Sequence, residues 1–472
     1  MLNKASQINE PTDAILAARK RWKINRDILA GEHAVKAAGV AYLPRISNQK
    51  TTVEYDAYKQ RTEFFPAAAR TKDGLIGLVT RKAPTFECPN GMEDIFNTIT
   101  KAGLTFEDLG EVILDETFQT AFPGMLADFP TPAPVAKGAV PTLGDLEAQN
   151  VRPFVAYYVA ESILEVSTGV VANKQVQTRV RLLDDEETVR ELLLVDGVYT
   201  IIMHRLINGE WVPDAPVTPL RAGQPIGFIP FVLSTLKVRN FAPGKGPLDD
   251  LCDLNVHLYN AAAASGISRW FSSMPMVTLL GAEAEEMEFA PGNLLNFPFH
   301  SNEHPVVLDY LEFAGTGQKA LDEHEARTLD KMAKLGSNIL ASERNAAEAA
   351  ETHAIRRSSE NSVLASVARS VSRAVQEVLD ICAWWQTGQR GTVKYALNTD
   401  FVPQPMTAQE RTALLAELTA GAISKETYFD QLIAGEVLPD DFDKEAEEQR
   451  IAQDSANIDR PVTEEPSEPP VE

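Results

Sequence analysis

Basic residues are scarce in this chain. Its 472 residues include 44 Lys and Arg against 67 Asp and Glu, a formal net charge of −23. A protein that grips nucleic-acid phosphates carries a basic footprint. This balance therefore argues against tight or sequence-specific DNA binding, but it suits a conduit whose repulsive wall prevents sticking. An acid excess also keeps a large protein soluble. Cysteine is almost missing: Cys88, Cys252 and Cys382 lie far apart and fit neither a disulfide framework nor a paired metal spacing. They read as free thiols. No apolar run approaches the ~18 residues of a membrane span. The run Ala14–Ala18 is too short for the core of a signal peptide. No Cys-x-x-Cys pair, nucleophile elbow or G-x-G-x-x-G loop occurs.

What is present is long enough for about three domain-sized units. Asn9–Val40 has the pattern of one or two amphipathic helices ended by Gly39, with Trp22, Ile28 and Leu29 among charges. Ser47–Gly77 and Leu104–Thr120 also read as helical, and Ala83-Pro84 precedes a short extended piece at Thr85–Cys88. Phe129–Gly144 is a Pro, Ala and Gly-rich loop. From Arg152 to Leu233 the signal changes to strands: Val166–Leu183, Val189–Val195, then Val198–Leu206 joined to Trp211-Val212 through Asn208-Gly209. Asn-Gly is a preferred hairpin dipeptide because both turn residues need positive φ. The fold class is therefore α+β, with an antiparallel sheet. Thr407–Leu418 and Ser424–Ala434 read as helices with Thr407 and Ser424 as caps. Asp441–Glu472 is acidic and is expected to be disordered.

Residues 248–387 carry the most information. A helix is predicted over Pro247–Phe271, with Leu248, Leu251, Leu254 and Leu258 at steps of three and four. It ends in the small-residue run Ala261–Gly266, which permits close helix approach. Met274-Pro275 breaks it. An irregular excursion follows through Val277–Leu280, the acidic Glu283–Glu288, a polar stretch and the strand-like Val306–Leu311. A second helix covers Gln318–Gly336, with Leu321, Leu329, Met332 and Leu335 expected on one side. Ser337–Ala350 has no apolar stripe. A third helix, Glu351–Gln386, carries Val363, Val367, Val371, Ala374, Val378, Cys382 and Trp385 at helical spacing. About 36 residues make it ~54 Å long, against the ~10–14 residues usual in globular domains. One subunit is expected to leave much of this apolar surface uncovered, to be buried by copies around an axis.

Possible enzymatic sites are weak. His300-Ser301-Asn302-Glu303-His304 matches H-x-x-E-H, a zinc peptidase pattern in which both His share a helical face. Pro298 and Pro305 flank it too closely for a helix, so two surface histidines are the plainer reading. Gly244-Lys245-Gly246 lacks the spacing of a phosphate loop, and Pro247 stands where Ser or Thr would bind magnesium; it reads as a turn before a helix. His204 and His257 lie in apolar periodic segments and read as satisfied core residues. Arg369 and Arg373 are four apart and share a face. They and Arg356-Arg357 suit salt bridges within or between subunits, or contact with phosphates.

Many short segments together resemble the portal, or head-to-tail connector, proteins of tailed bacteriophages. The similarity is nearest to a portal-like phage family labelled as a domain of unknown function. The segments are Tyr42-Leu43-Pro44, Glu54–Arg61, Ala69–Gly77, Arg81–Pro84, Pro230-Phe231-Val232, Pro247–Tyr259, Pro275–Gly281 and Ala341–Arg357, spanning roughly residues 40–390. Where that family often has Ser-Ala-Glu, this chain has Ala341-Ser342-Glu343.

The resemblance implies a subunit with an α/β wing, a two-helix stem, a small clip, a long wing-spanning helix and a helical crown. By segment, 1–246 is the N-terminal region and wing, 247–272 and 318–336 are the stem helices, and 273–317 is the clip. Residues 337–350 form the tunnel loop, 351–404 the long helix and a wing strand, 405–440 the crown, and 441–472 the acidic tail. It further implies a homo-oligomeric ring, usually of twelve subunits, at one capsid vertex of the virion. Double-stranded DNA would be packaged and ejected through it. The implied partners are the terminase large subunit, the head-to-tail adaptor and the major capsid protein, with no membrane, no cofactor and no enzymatic activity. Ser342, Arg344 and Asn345 are then candidates to face DNA in the tunnel loop, and Lys319, Lys331 and Lys334 in the stem. Glu283, Glu285, Glu286 and Glu288 would form a docking rim on the clip. Another virion connector or tail-ring protein is the nearer alternative; a zinc peptidase built on His300, Glu303 and His304 is the remoter one.

Overall fold

A computed structural model describes residues 8–46, 51–130, 151–171, 173–237, 241–272, 276–280, 307–311, 317–336, 350–399, 401, 406–435, 437–439 and 442–458. The chain forms two compact units, Met1–Thr399 and Asp400–Glu472.

The first unit begins with helices α1 (Asp13–Ala30), α2 (Glu32–Ala38), α3 (Thr52–Arg61) and α4 (Ala67–Val79). Gly39, at φ 57°, ends the first pair as its sequence suggests. The single helical pattern expected over Ser47–Gly77 is two helices. Thr62 turns to extended backbone at ψ 125°, and Pro66 cannot donate the N–H a continuous helix needs. Strand β1 (Thr85–Glu87), the short helix α5 (Glu93–Phe96) and α6 (Phe106–Thr120) follow. Thr105 caps α6: its hydroxyl accepts from Asp108 N at 3.0 Å, and the Asp108 carboxylate accepts from Thr105 N at 3.1 Å. This reciprocal pairing satisfies two donors of the first turn.

Strands β2 (Gly124–Asp128), β3 (Phe154–Tyr158) and β11 (Phe231–Leu233) form a three-stranded sheet in the order β11-β2-β3. Strands β4 (Ile163–Val171), β5 (Lys174–Asp185), β6 (Thr188–Val195), β7 (Val198–Ile207) and β8 (Glu210–Pro213) form an antiparallel meander in chain order. The apolar run Val166–Leu183 therefore divides into two strands. Asn173, at φ 61°, makes the turn between them. Asn208 (φ 55°) and Gly209 (φ 84°) adopt the expected hairpin geometry, and Asp196 (φ 50°) with Gly197 (φ 77°) makes a second one. Asp-Gly belongs to the same preferred class. A small hairpin, β9 (Leu220–Arg221) with β10 (Gln224–Pro225), precedes β11.

Helices α7 (Asp249–Ser272), α8 (Gln318–Gly336) and α9 (Ala350–Thr387) complete the unit with β12 (Met276–Leu280), β13 (Val307–Leu311) and β14 (Lys394–Ala396). Strand β14 pairs with β1. Helix α9 packs on α6, β14, β2 and β11. Val367, Val371, Ala374, Val378, Cys382 and Trp385 are buried, and so are Ala368, Val375, Leu379 and Ile381 on adjoining faces. This corrects the expectation that a single subunit leaves the long helix largely uncovered. Its C-terminal half is the centre of this subunit's own core, and only Val363 of the predicted stripe is exposed. The stripe on α8 also differs. Thr328 and Met332 are buried, whereas Leu329 and Leu335 are exposed, because α8 has one neighbouring helix to cover it along most of its length.

The second unit contains α10 (Ala408–Thr419), α11 (Lys425–Ala434) and α12 (Lys444–Ile458). Thr407 caps α10 reciprocally with Glu410, and the Ser424 hydroxyl accepts from Thr427 N at 3.1 Å. The tail expected to be disordered from Asp441 is helical over Lys444–Ile458. Its charges are spaced for a solvated helix, with Glu447 and Arg450 paired at 3.1 Å. Residues 459–472 lie outside the described residues.

Candidate functional site: the helical arm

Helices α7 and α8 form an antiparallel arm. At its far end β12 and β13 pair antiparallel, Met276 opposite Leu311 and Leu280 opposite Val307. The two apolar runs of the excursion thus meet in one hairpin, a pairing that their sequence separation concealed.

The root of the arm is fixed by buried polar anchors. Pro247 and Asp249 place α7's N-terminus. One Asp249 oxygen accepts from Gly246 N at 3.0 Å and the other from Asn25 Nδ2 at 2.8 Å. Arg21 adds its charge at 3.5 Å and donates to the Asp249 carbonyl. A carboxylate in the first helical turn also complements the helix dipole. Gly244-Lys245-Gly246 is therefore a turn before a helix, with Lys245 paired to Asp250 at 2.6 Å. One turn further, the buried Asn255 accepts from Ala68 N at 2.9 Å and donates to Phe65 O at 3.0 Å. Asn260 donates to Tyr42 O at 3.0 Å. Cys252 is fully buried here, and burial pushes its thiol up to about 12, so it stays protonated.

Toward the tip the contacts become polar and exposed. Asp322 accepts from Arg269 at 2.8 Å, from Gln318 at 2.8 Å and from Ser265 at 3.2 Å. The hydrogen bonds from Gln318 and Arg269 hold its carboxyl below the usual range. Arg61 lies over the Trp270 ring at 4.0 Å. Ala261, Ala263 and Ser265 are buried, whereas Ala264 and Gly266 are exposed; Ser265 meets Gln318 and Asp322 of α8.

The three stem lysines do not form one patch. Lys331 and Lys334 line a shallow groove between the helices, opposite Asp250, Asp253 and His257. Lys334 is also paired to Asp330 at 2.6 Å. Lys319 is exposed and twelve positions before Lys331, ~18 Å along the helix. His257 is exposed in that groove, which corrects its reading as a core residue. It sits on the side of α7 opposite Cys252, Asn255 and Tyr259. His204 is satisfied as expected, its Nε2 2.8 Å from Glu191 Oε2.

Arg369 and Arg373 are exposed on α9 and form no ion pair among the described residues; Arg369 donates to Ala365 O at 3.1 Å. Arg356 and Arg357 fall within α9, but their side chains lie outside the described residues. So do Glu283, Glu285, Glu286, Glu288, His300, Glu303, His304, Ser342, Arg344 and Asn345. The described residues hold no cluster of three His, Cys, Asp or Glu side chains suited to a metal ion. Among them, no helix is long and apolar enough to cross a membrane.

At the other end of the long helix, Arg221 donates to Trp384 O at 2.8 Å and Trp385 O at 3.1 Å. Trp384 O also accepts from Gly388 N at 2.9 Å, so Arg221 adds a side-chain donor to the carbonyls of the last helical turn. Sequence reasoning missed this cap, as it missed Asn25, Asp249 and Asn255. Only Asp249, just after Pro247 at a helix start, carried a local signal.

Residues 247–386, from just before α7 almost to the end of α9, match the family described as Domain of unknown function (DUF4055). No curated protein matches the chain. Among solved structures, the chain is similar to one from the "Virion of native gene transfer agent (GTA) particle", at 13% identity and a TM-score of 0.42, covering 86% of this chain and 98% of that one. It is also similar to one from the "Neck of native GTA particle computed with C12 symmetry", at 14% identity and a TM-score of 0.40, covering 85% and 98%.

Proposed function

We propose that the chain is a portal-type connector subunit of a tailed-phage virion. Twelve copies would form a ring at one capsid vertex, through which double-stranded DNA is packaged and ejected. The observation that carries this reading is the coincidence of the matched segment, 247–386, with an antiparallel two-helix arm, a terminal hairpin and a 38-residue helix seated in the core. That is the order of parts implied by the sequence resemblance: stem, clip, stem, long helix. The acidic balance fits a channel wall that repels the duplex from all sides and so centres it. On this reading the arm's hairpin end is where terminase and later the adaptor dock, the α/β body meets the capsid protein, and the protein hydrolyses nothing by itself.

The test is electron microscopy of the purified full chain, with particle mass in solution. Rings of about twelve subunits support the proposal. A strict monomer at micromolar concentration and above, with no ring in particles, overturns it.

A further inference from the structure

The five-stranded sheet carries opposite charge at its two ends. One end is the tight β5–β6 turn. Asp185 Oδ1 accepts from Glu187 N at 2.9 Å, which fixes the turn. Asp185, Glu186 and Glu187 are all exposed and form no ion pair among the described residues.

The other end borders a cleft of about 550 Å³ between the start of β5, the β11 segment and α9. Its walls are mixed, with Phe228 and Val232 beside Gln175 and Thr235, and its charged groups are Lys237, Arg373 and Arg390 against Glu377. Arg390 is held in place over the rings of Phe228 (4.8 Å) and Trp384 (5.7 Å), with Asp380 at 3.5 Å. Lys237 and Arg373 are exposed and form no ion pair among the described residues. With Arg390 answered by Asp380, Lys237 and Arg373 against Glu377 still leave the cleft net positive in a chain of net charge −23, a local reversal of sign. Gln177 also lines the cleft, and its side-chain oxygen is buried without a hydrogen-bond donor among the described residues.

Strand β5 runs from the cleft, at Gln175 and Gln177, to the turn that begins at Asp185. At ~3.3 Å per residue the two surfaces are roughly 30 Å apart on one rigid sheet. They cannot meet within one chain.

We propose that the acidic β5–β6 turn of one copy docks into the basic cleft of the next. The contact is head-to-tail, the kind that closes into a ring when its rotation allows. Its charges fix partner and register, and the turn's backbone N–H groups are donors of the kind Gln177 lacks. This inference rests on the ring assembly proposed above and names the interface that makes it.

The test uses three full-length proteins: wild type, a turn variant (Glu186→Lys, Glu187→Lys) and a cleft variant (Lys237→Glu, Arg373→Glu). Asp185 is kept because it fixes the turn. Each variant alone should lose more than tenfold of its ring fraction by mass measurement and microscopy, with an unchanged circular dichroism spectrum. An equimolar mixture should regain rings, because each variant's turn then faces a cleft of opposite sign. Rings from either variant alone at the wild-type level overturn the interface and leave the ring reading standing. Lost rings that the mixture does not restore overturn it too. If Glu464→Lys, Glu465→Lys, Glu468→Lys abolishes rings while the turn variant keeps them, the acidic C-terminal segment is the occupant and the proposal fails. Absence of rings from the wild type fails the underlying reading instead.

Discussion

Asn25 in the first helix donates to Asp249 at the start of the arm, 2.8 Å apart across 224 residues of chain, and both side chains are buried. The bond ties the direction of the arm to the N-terminal helices. Asp249→Ala removes the side-chain acceptor shared by Asn25 Nδ2 and Gly246 N and the charge 3.5 Å from Arg21, and should cost ~2–3 kcal/mol. Asp250→Ala, next in sequence but exposed and, among the described residues, paired only with Lys245, should cost less than ~0.5 kcal/mol. Denaturant unfolding of the two variants side by side measures the contrast; equal losses would contradict it.

Arg190 joins the two larger sheets. It meets Asp128 of β2 at 2.7 Å and Asp184 of β5 at 2.9 Å, and the Tyr158 hydroxyl donates to Asp184 at 2.6 Å. Arg190→Met removes the cation and leaves two partly buried carboxylates facing each other, at an expected cost of ~3–5 kcal/mol. Replacing Asp128 and Asp184 by Asn in the same chain should recover part of that loss. Thermal unfolding of the single and triple variants gives the answer.

Stability should fall in acid partly through Glu165. Burial pushes its carboxyl up, but the hydrogen bond from Ser167 and the charges of Arg179 and Arg181 outweigh burial and leave it below its ordinary value of 4.5. A carboxylate depressed in the folded state stabilises above its unfolded pKa, and that stabilisation is lost as pH falls through the folded value. Wild type should therefore exceed Glu165→Gln in unfolding midpoint at pH 6. The gap should narrow below about pH 4.5. A gap that stays constant from pH 6 to pH 3 would show that Glu165 does not contribute to the acid response.

Rings of this protein should bind free duplex DNA weakly. Lys331 and Lys334 face Asp250 and Asp253 across their groove, so the helical arm offers little uncompensated positive charge there. In a salt titration, nanomolar affinity at physiological ionic strength with a steep decline as salt rises would reveal a basic track. Deleting Ser342–Ala346 should leave rings intact and impair DNA packaging or retention; normal packaging would remove that segment from the channel. Zinc should not raise the unfolding temperature, and a peptidase turnover lost in His304→Ala would refute the non-enzymatic reading.

Features that depend on neighbours within a few positions were legible in the amino-acid order. The caps at Thr105, Thr407 and Ser424, the breaks at Gly39 and Ala83-Pro84, the Asn208-Gly209 hairpin and the span of α8 are local matters. Local backbone preference and side-chain capping act over three or four residues. Amphipathic period was enough to locate α7 and α9 within a residue or two.

Which surface each element buries, and what it meets, follows from long-range packing. Helical spacing put Leu329 and Leu335 with Met332, and Val363 with Val367, yet three of these five are exposed. A stripe shows that a face can be covered, not that a neighbour reaches it. The long helix looked uncovered because α6, β2 and β11, which with the nearby β14 bury it, lie far away in sequence. Asn25 and Asn255 looked like ordinary polar residues. What makes them anchors is burial beside specific partners 224 and 187–190 residues distant. The pairing of β12 with β13 and the opposite charges at the two ends of β5 are likewise properties of chain segments brought together, and no local pattern encodes them.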